Sequence, residues 1–178
     1  MRNLTPLAPA DAPQRSSELL GEIIDRHGSV GDMVATMAHS PALLQGYLDL
    51  SKAMKRVKLH RQLSEKVALA VQSWIGCETC LAAHTEAARA AGLSETDIVL
   101  AREGAATDRR ESTLVSFALR VLAEPGSITG DDIAELRQHG WTDRIIVEVV
   151  GLVALNLMTG AFNLVAGIEP TSQPANAK

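Results

Sequence analysis

Two cysteines, Cys77 and Cys80, are separated by two residues, and they are the only cysteines in the chain. His84 follows Cys80 by four residues. On a helix these three side chains fall within about 60° of one face, so they can converge on one small site. A thiolate is a nucleophile, a second thiol can close a disulfide, and a nearby imidazole can accept the proton. The pattern indicates redox or acid–base chemistry.

The positions of Cys77 and Glu65 on their helices add to this pattern. Gly76 breaks the preceding helix, which places Cys77 in or just before the first turn of the next one. The free N–H groups and the positive dipole end there favour a thiolate, an argument that by itself makes Cys77 the nucleophile. Glu65 lies off the apolar stripe of the preceding helix, on a half-polar face. A partly buried carboxylate there needs a partner, and His84 or a cysteine proton is a candidate.

Simpler interpretations and a metal site are the alternatives. The cysteines can be two small buried residues, and His84 and Glu65 can be ordinary surface residues. Cys77, Cys80, His84 and Glu65 could also make a mixed zinc shell, but structural zinc sites usually add a second, separated Cys/His pair, which the sequence lacks. Haem attachment needs histidine where Leu81 stands, and two cysteines cannot build a four-cysteine iron–sulfur cluster. We therefore predict no metal ligands.

The elements that must position these residues are helices. Hydrophobic residues make up 46% of the 178 residues and aromatic residues 3%, with alanine and leucine abundant and strand-forming residues scarce. Capping and breaking signals predict helices near 16–27, 30–38, 41–57, 61–75, 77–91, 95–103, 109–123, 130–138 and 143–166. We predict one all-α domain over residues 15–168, in which helices 16–57 form an N-terminal layer on a core that spans about 61–167. Residues 1–14 and 169–178 are proline-rich and are predicted to be flexible arms.

Charge and hydropathy exclude some partners. The net charge is −4, with 17 basic and 21 acidic residues, which argues against nucleic-acid binding. Residues 149–167 carry no charge, but Asn156 and Asn163 lie within this run and share one helix face. We interpret it as a buried helix or an oligomer interface rather than a membrane span. The N-terminus has no apolar run typical of a signal peptide, so we expect a cytoplasmic protein.

The spacing of the four candidate residues is also a family signature. Glu65, eleven residues, Cys77-x-x-Cys80, three residues and His84 resemble the E-x11-C-x-x-C-x3-H signature of the alkylhydroperoxidase D-like (AhpD-like) branch of the carboxymuconolactone decarboxylase family. The resemblance extends over roughly residues 41–167. It implies an AhpD-like helical bundle that assembles into homo-oligomers, commonly trimers or hexamers.

The resemblance also implies a thiol-dependent peroxidase activity. Cys80 would be the attacking, peroxidatic cysteine and Cys77 the resolving one, while His84 and Glu65 would relay the proton. No tightly bound cofactor is implied. An external dithiol would re-reduce the pair, and in the family this donor can be a lipoamide-bearing protein.

One position departs from the family pattern. The best-described peroxidases of this branch carry a histidine between the cysteines, where this chain has Thr79. Two alternatives are therefore kept: a lyase of the carboxymuconolactone decarboxylase type, and a non-enzymatic, redox-responsive oligomer.

Overall fold

The fold is entirely helical over the described part of the chain. The computed structural model describes residues 2–170, in which no strand occurs. The helices are α1 Gln14–His27, α2 Asp32–Met37, α3 Pro41–Met54, α4 Arg61–Ile75, α5 Glu78–Ala90, α6 Glu95–Arg102, α7 Arg109–Ala123, α8 Gly130–Gln138 and α9 Asp143–Ala166, with 3-10 turns at Pro9–Asp11 and Pro125–Ser127. The all-α prediction is confirmed, and the predicted helix bounds differ from these by at most three residues.

Helix α4 is the centre of the domain and packs against α5, α6, α7 and α9. Its apolar residues join those of α7 and α9 in the largest core cluster. On another face of α4, the buried Lys66 ammonium donates to Glu111 of α7 at 2.7 Å and to Asp97 of α6 at 3.3 Å. Breaking such a buried pair leaves an uncompensated charge, so the network fixes the rotation of α4 about its axis.

The junction between α4 and α5 is short. Gly76 ends α4 with φ +77°, a left-handed conformation that glycine adopts without a steric penalty. Cys77 follows as the N-cap of α5, and its sulfur accepts the backbone N–H of Cys80. The sequence predicted a helix beginning at Cys77, and the structure begins it one residue later. This junction places both cysteines at the N-terminal end of α5.

Helices α1, α2 and α3 form the predicted N-terminal layer, with a separate apolar cluster that reaches Phe162 of α9. The segment before α1 was predicted as a flexible arm. In the structure, the N–H groups of Asn3 and Leu4 donate to the Ala166 carbonyl, and that of Leu7 donates to Ala35. These carbonyls lie in the last turns of their helices and therefore lack intrahelical partners. The backbone N–H groups of the segment before α1 donate hydrogen bonds to them. Residues 171–178 of the predicted C-terminal arm lie outside the described residues.

Helix α9 has one buried and one exposed face. By length and composition it is apolar enough to cross a membrane, and one third of its most apolar window is buried inside the domain. It packs on α4, α7, α3, α2 and α5. Its exposed apolar side chains are Val147, Val150, Leu157, Leu164 and Val165. One face of this helix thus packs against five other helices, and its second, apolar face is left uncovered by residues 2–170.

Candidate active site

The two cysteines are in direct contact. Both are free thiols, with exposed fractions of 1% for Cys77 and 7% for Cys80. Their sulfur atoms lie 2.6 Å apart. The pair can therefore be oxidised to an intramolecular disulfide without a rearrangement of the helices around it.

The Cys80 sulfur has a second partner on α9. The side-chain N–H of Asn163 donates to it at 3.2 Å. Burial and the contact with Cys77 together raise the pKa of the Cys80 thiol to about 12, and the Asn163 hydrogen bond acts in the opposite direction. Cys80 is thus protonated at neutral pH, and its activation requires a base.

Glu65 and His84 form a second pair. His84 Nδ1 lies 2.8 Å from one carboxylate oxygen of Glu65, and Arg61 donates to the other oxygen at 2.7 Å. Burial raises the pKa of Glu65, but the hydrogen bonds and charges of His84 and Arg61 outweigh it, and the net pKa lies below its usual value. In the neutral form of His84, the ionised carboxylate of Glu65 favours the tautomer that keeps its hydrogen on Nδ1. Nε2 then carries the lone pair that can accept a proton.

The four predicted residues are therefore brought together as two pairs rather than one cluster. Over residues 2–170, no three His, Cys, Asp or Glu side chains are close enough to hold a metal ion. The zinc alternative needs converging ligands that this part of the chain does not offer. Cys80 and His84 lie one turn apart on α5, about 6 Å along its axis. A water or a substrate would bridge that distance in any proton transfer between them.

A cavity of about 670 Å³ lies beside the Glu65–His84 pair. Apolar atoms make up somewhat more of its wall than polar atoms, and the lining residues come from α3, the loop after it, α4, α5 and α9. Neither cysteine is among the described residues that line it. The lining residues are Tyr47, Ser51, Met54, Lys55, Val57, Leu59, Arg61, Ser64, Glu65, Ala68, His84, Leu152, Leu155, Asn156 and Thr159.

Sequence reasoning missed two residues that build the site. The Thr79 hydroxyl donates to the Ile168 carbonyl at 2.8 Å, which ties the start of α5 to the end of α9. This bond helps to hold Cys80 beside Asn163. Asn163 was noticeable in the sequence because it shares one face of an otherwise apolar helix with a second asparagine. That pattern did not indicate contact with a cysteine.

A comparison with family models identifies the segment that carries this site. Residues 41–124 match the carboxymuconolactone decarboxylase family. Over this segment the chain is similar to members of that family. The segment includes α4 and α5, and thus all four residues of the signature. No curated protein sequence matches the chain.

Solved structures extend the likeness to nearly the whole chain. An uncharacterized peroxidase-related protein from Ralstonia eutropha JMP134, described as an alkylhydroperoxidase AhpD core, has a TM-score of 0.79 and 21% identity over 96% of this chain and 92% of its own. A peroxidase-related protein from Silicibacter sp. TM1040 has a TM-score of 0.78 and 21% identity, covering 96% and 94%. The debrominase Bmp8 has a TM-score of 0.74 and 19% identity, covering 96% and 92%. These matches confirm the AhpD-like fold.

Proposed function

We propose that this protein is a thiol-dependent peroxidase that reduces peroxides through Cys77 and Cys80, with His84 and Glu65 moving the proton. The observation that carries the proposal is the contact between two free thiols one helical turn from a carboxylate-held histidine. The match to the carboxymuconolactone decarboxylase family and the peroxidase-related structures support an enzyme of this general kind. The proposed cavity for an organic peroxide is the one beside His84.

Cys80 is proposed as the attacking residue because it is the more exposed thiol and lies one turn from His84. Nε2 of His84 takes the thiol proton through a bridging water. The thiolate attacks one peroxide oxygen, the O–O bond breaks, and the leaving alkoxide or hydroxide takes that proton. Cys80 is left as a sulfenic acid. Cys77 then attacks the oxidised sulfur, which closes the disulfide and releases water.

Reduction of the disulfide completes the proposed cycle. An external dithiol transfers two electrons and two protons to the pair and is itself oxidised to a disulfide. We propose a lipoamide-bearing protein as one such donor and no tightly bound cofactor. We also propose a cytoplasmic homo-oligomer, a trimer or hexamer, that contacts neither membrane nor nucleic acid. The exposed apolar face of α9 is the surface available for that assembly.

The direct test measures peroxide consumption with a dithiol donor for wild type, Cys80→Ser and Cys77→Ser. We expect turnover by the wild type only, because each variant lacks one sulfur of the disulfide. Ser116→Ala, an exposed change on α7, is the control and should retain full turnover. Turnover that survives both cysteine substitutions would refute the proposal. Decarboxylation of a muconolactone by the double variant would favour the lyase.

Reductive dehalogenation is a second candidate, favoured by the fold shared with the debrominase. Another structure of that debrominase, a variant with a cysteine replaced by alanine, holds 2,3,4-tribromopyrrole and has a TM-score of 0.73. The cavity beside His84 could accept such a ring. Bromide release from a bromopyrrole by wild type, together with no reaction with peroxides, would select this candidate.

A further inference from the structure

The buried face of α9 carries a polar atom that the fold does not use. Asn163 is 5% exposed, and its side-chain oxygen Oδ1 is buried and accepts no hydrogen bond from residues 2–170. Buried acceptors in proteins are nearly always satisfied, so one that is not needs an explanation. Asn156, two turns earlier on the same face, differs, because its Oδ1 accepts from Gln72 at 3.2 Å.

The unused oxygen lies at the reactive sulfur. The other end of the same carboxamide, Nδ2, donates to Cys80 Sγ at 3.2 Å. The Thr79–Ile168 hydrogen bond joins the start of α5, which carries Cys80, to the end of α9, which carries Asn163. This bond limits how far the Cys80 and Asn163 side chains can separate. A small molecule that approaches the sulfur on this side therefore meets a hydrogen-bond acceptor that has no competing partner.

We propose that Asn163 binds the peroxide itself: Nδ2 orients the Cys80 sulfur, and Oδ1 accepts the hydrogen of the hydroperoxide that this sulfur attacks. The inference rests on the proposed peroxidase function and narrows its substrate class. Hydrogen peroxide and organic hydroperoxides have the required O–H, whereas dialkyl peroxides do not. After the O–O bond breaks and the S–O bond forms, the sulfenic acid O–H can donate to the same oxygen until Cys77 attacks.

The two roles of the carboxamide can be separated by two thiol reagents. Methyl methanethiosulfonate reacts with the Cys80 thiolate but donates no hydrogen bond. Its reaction rate therefore reports the thiolate fraction and reactivity of Cys80 without any contribution from Oδ1. Hydrogen peroxide also needs the acceptor. The ratio of the two rates at Cys80, measured by mass spectrometry of the cysteine peptide, therefore isolates the contribution of Oδ1.

The variants are Asn163→Ala and Asn163→Leu, which remove the acceptor, and Asn163→Asp, which retains one. Leucine has the same branching at Cγ as asparagine, with two methyl groups in place of the amide oxygen and nitrogen, and it fills the site if the alanine variant does not fold. We expect the peroxide-to-thiosulfonate ratio to fall about tenfold in the alanine or leucine variant and to stay near the wild-type ratio in the aspartate variant. Ser16→Ala is the matched control: it removes a buried hydroxyl on α1 that has no hydrogen-bond partner among residues 2–170, and it should leave the ratio unchanged.

Two results would overturn the inference in distinguishable ways. An unchanged ratio in Asn163→Ala or Asn163→Leu, or an equal fall in Ser16→Ala, would show that Oδ1 does not bind the peroxide although the peroxidase proposal stands. Labelling of wild-type Cys80 by the thiosulfonate without oxidation by any peroxide would refute the peroxidase proposal, and the inference with it.

Discussion

At neutral pH the Cys80 side chain is a thiol rather than a thiolate, because burial, reinforced by the neighbouring Cys77, raises its pKa to about 12. The unassisted thiolate is then about one part in a hundred thousand at pH 7. Asn163 is the one neighbour that lowers this pKa. The reaction therefore depends on a base, and the carboxylate-held His84 is the residue placed to act as one.

The pKa of Cys80 predicts a steep pH dependence of its labelling. Because only the thiolate reacts and the pKa lies well above neutrality, the labelling rate at Cys80 should rise about tenfold per pH unit from pH 7 to pH 10. The measurement is the rate of methyl methanethiosulfonate labelling at Cys80, resolved by peptide mass spectrometry. A rate that levels off below pH 9 would contradict the raised pKa.

At this scale the sequence offered His84 as one of two candidate partners for Glu65 but did not indicate the partner of Cys80. The first follows from local rules, since helical periodicity places the two residues on facing sides of adjacent helices. Asn163 lies 83 residues from Cys80 along the chain. Periodicity showed that it shares a face with Asn156, but which helix that face meets is decided by packing over the whole domain.

At the scale of the helices, the site depends on the close approach of α4 and α9. Gln72 of α4 is fully buried and donates to the backbone carbonyl of Asn156 at 2.9 Å. Its Oε1 lies 2.5 Å from where a Cβ on Gly160 would be, and Ile75 lies 3.3 Å from the same point. Gly160 is therefore a packing residue, and its lack of a side chain lets the two helices meet.

Gly160→Ala is predicted to destabilise the fold. The added Cβ would push Gln72 away from Asn156, and overpacking of this kind costs about 1–3 kcal/mol. Gly46→Ala, in the middle of α3, is the matched control, since a Cβ there meets nothing within 4 Å. That change should stabilise the protein by about 0.5–1 kcal/mol because alanine is the better helix former. Urea unfolding measures both, and a neutral or stabilising Gly160→Ala would contradict the packing described.

Helix ends were predictable and helix contacts were not. Ser40 before Pro41, and Ser94 with Asp97, cap α3 and α6 as their types and spacing predicted. These signals are local and act within one turn. The role of Thr79 was missed, because its hydrogen-bond partner at Ile168 becomes a neighbour only after α9 packs against α5.

At the scale of the whole molecule, residues 2–170 leave a long apolar surface uncovered, the outer face of α9. Its five exposed side chains extend over most of a 24-residue helix, about 36 Å long. Patches of this kind mark interaction sites in proteins that remain soluble. Self-association through this face would bury the outer side of α9, whose inner side carries Asn163.

Sedimentation velocity tests that assembly. We expect the wild type to have the mass of a trimer or hexamer, and Val150→Glu to shift it toward the monomer, because a charge in an apolar interface loses its hydration. Val99→Glu, at a valine of α6 that is 53% exposed, is the matched control and should leave the mass unchanged. A wild type that sediments as a monomer at every concentration would contradict the proposed oligomer.

Mass spectrometry of the Cys77–Cys80 peptide, before and after one equivalent of a hydroperoxide, tests the central claim most directly. The account predicts two free thiols before treatment and one intramolecular disulfide after it, with a sulfenic acid at Cys80 accumulating in Cys77→Ser. Treatment with the external dithiol should restore both thiols. Two thiols that remain unmodified after the hydroperoxide would contradict the account.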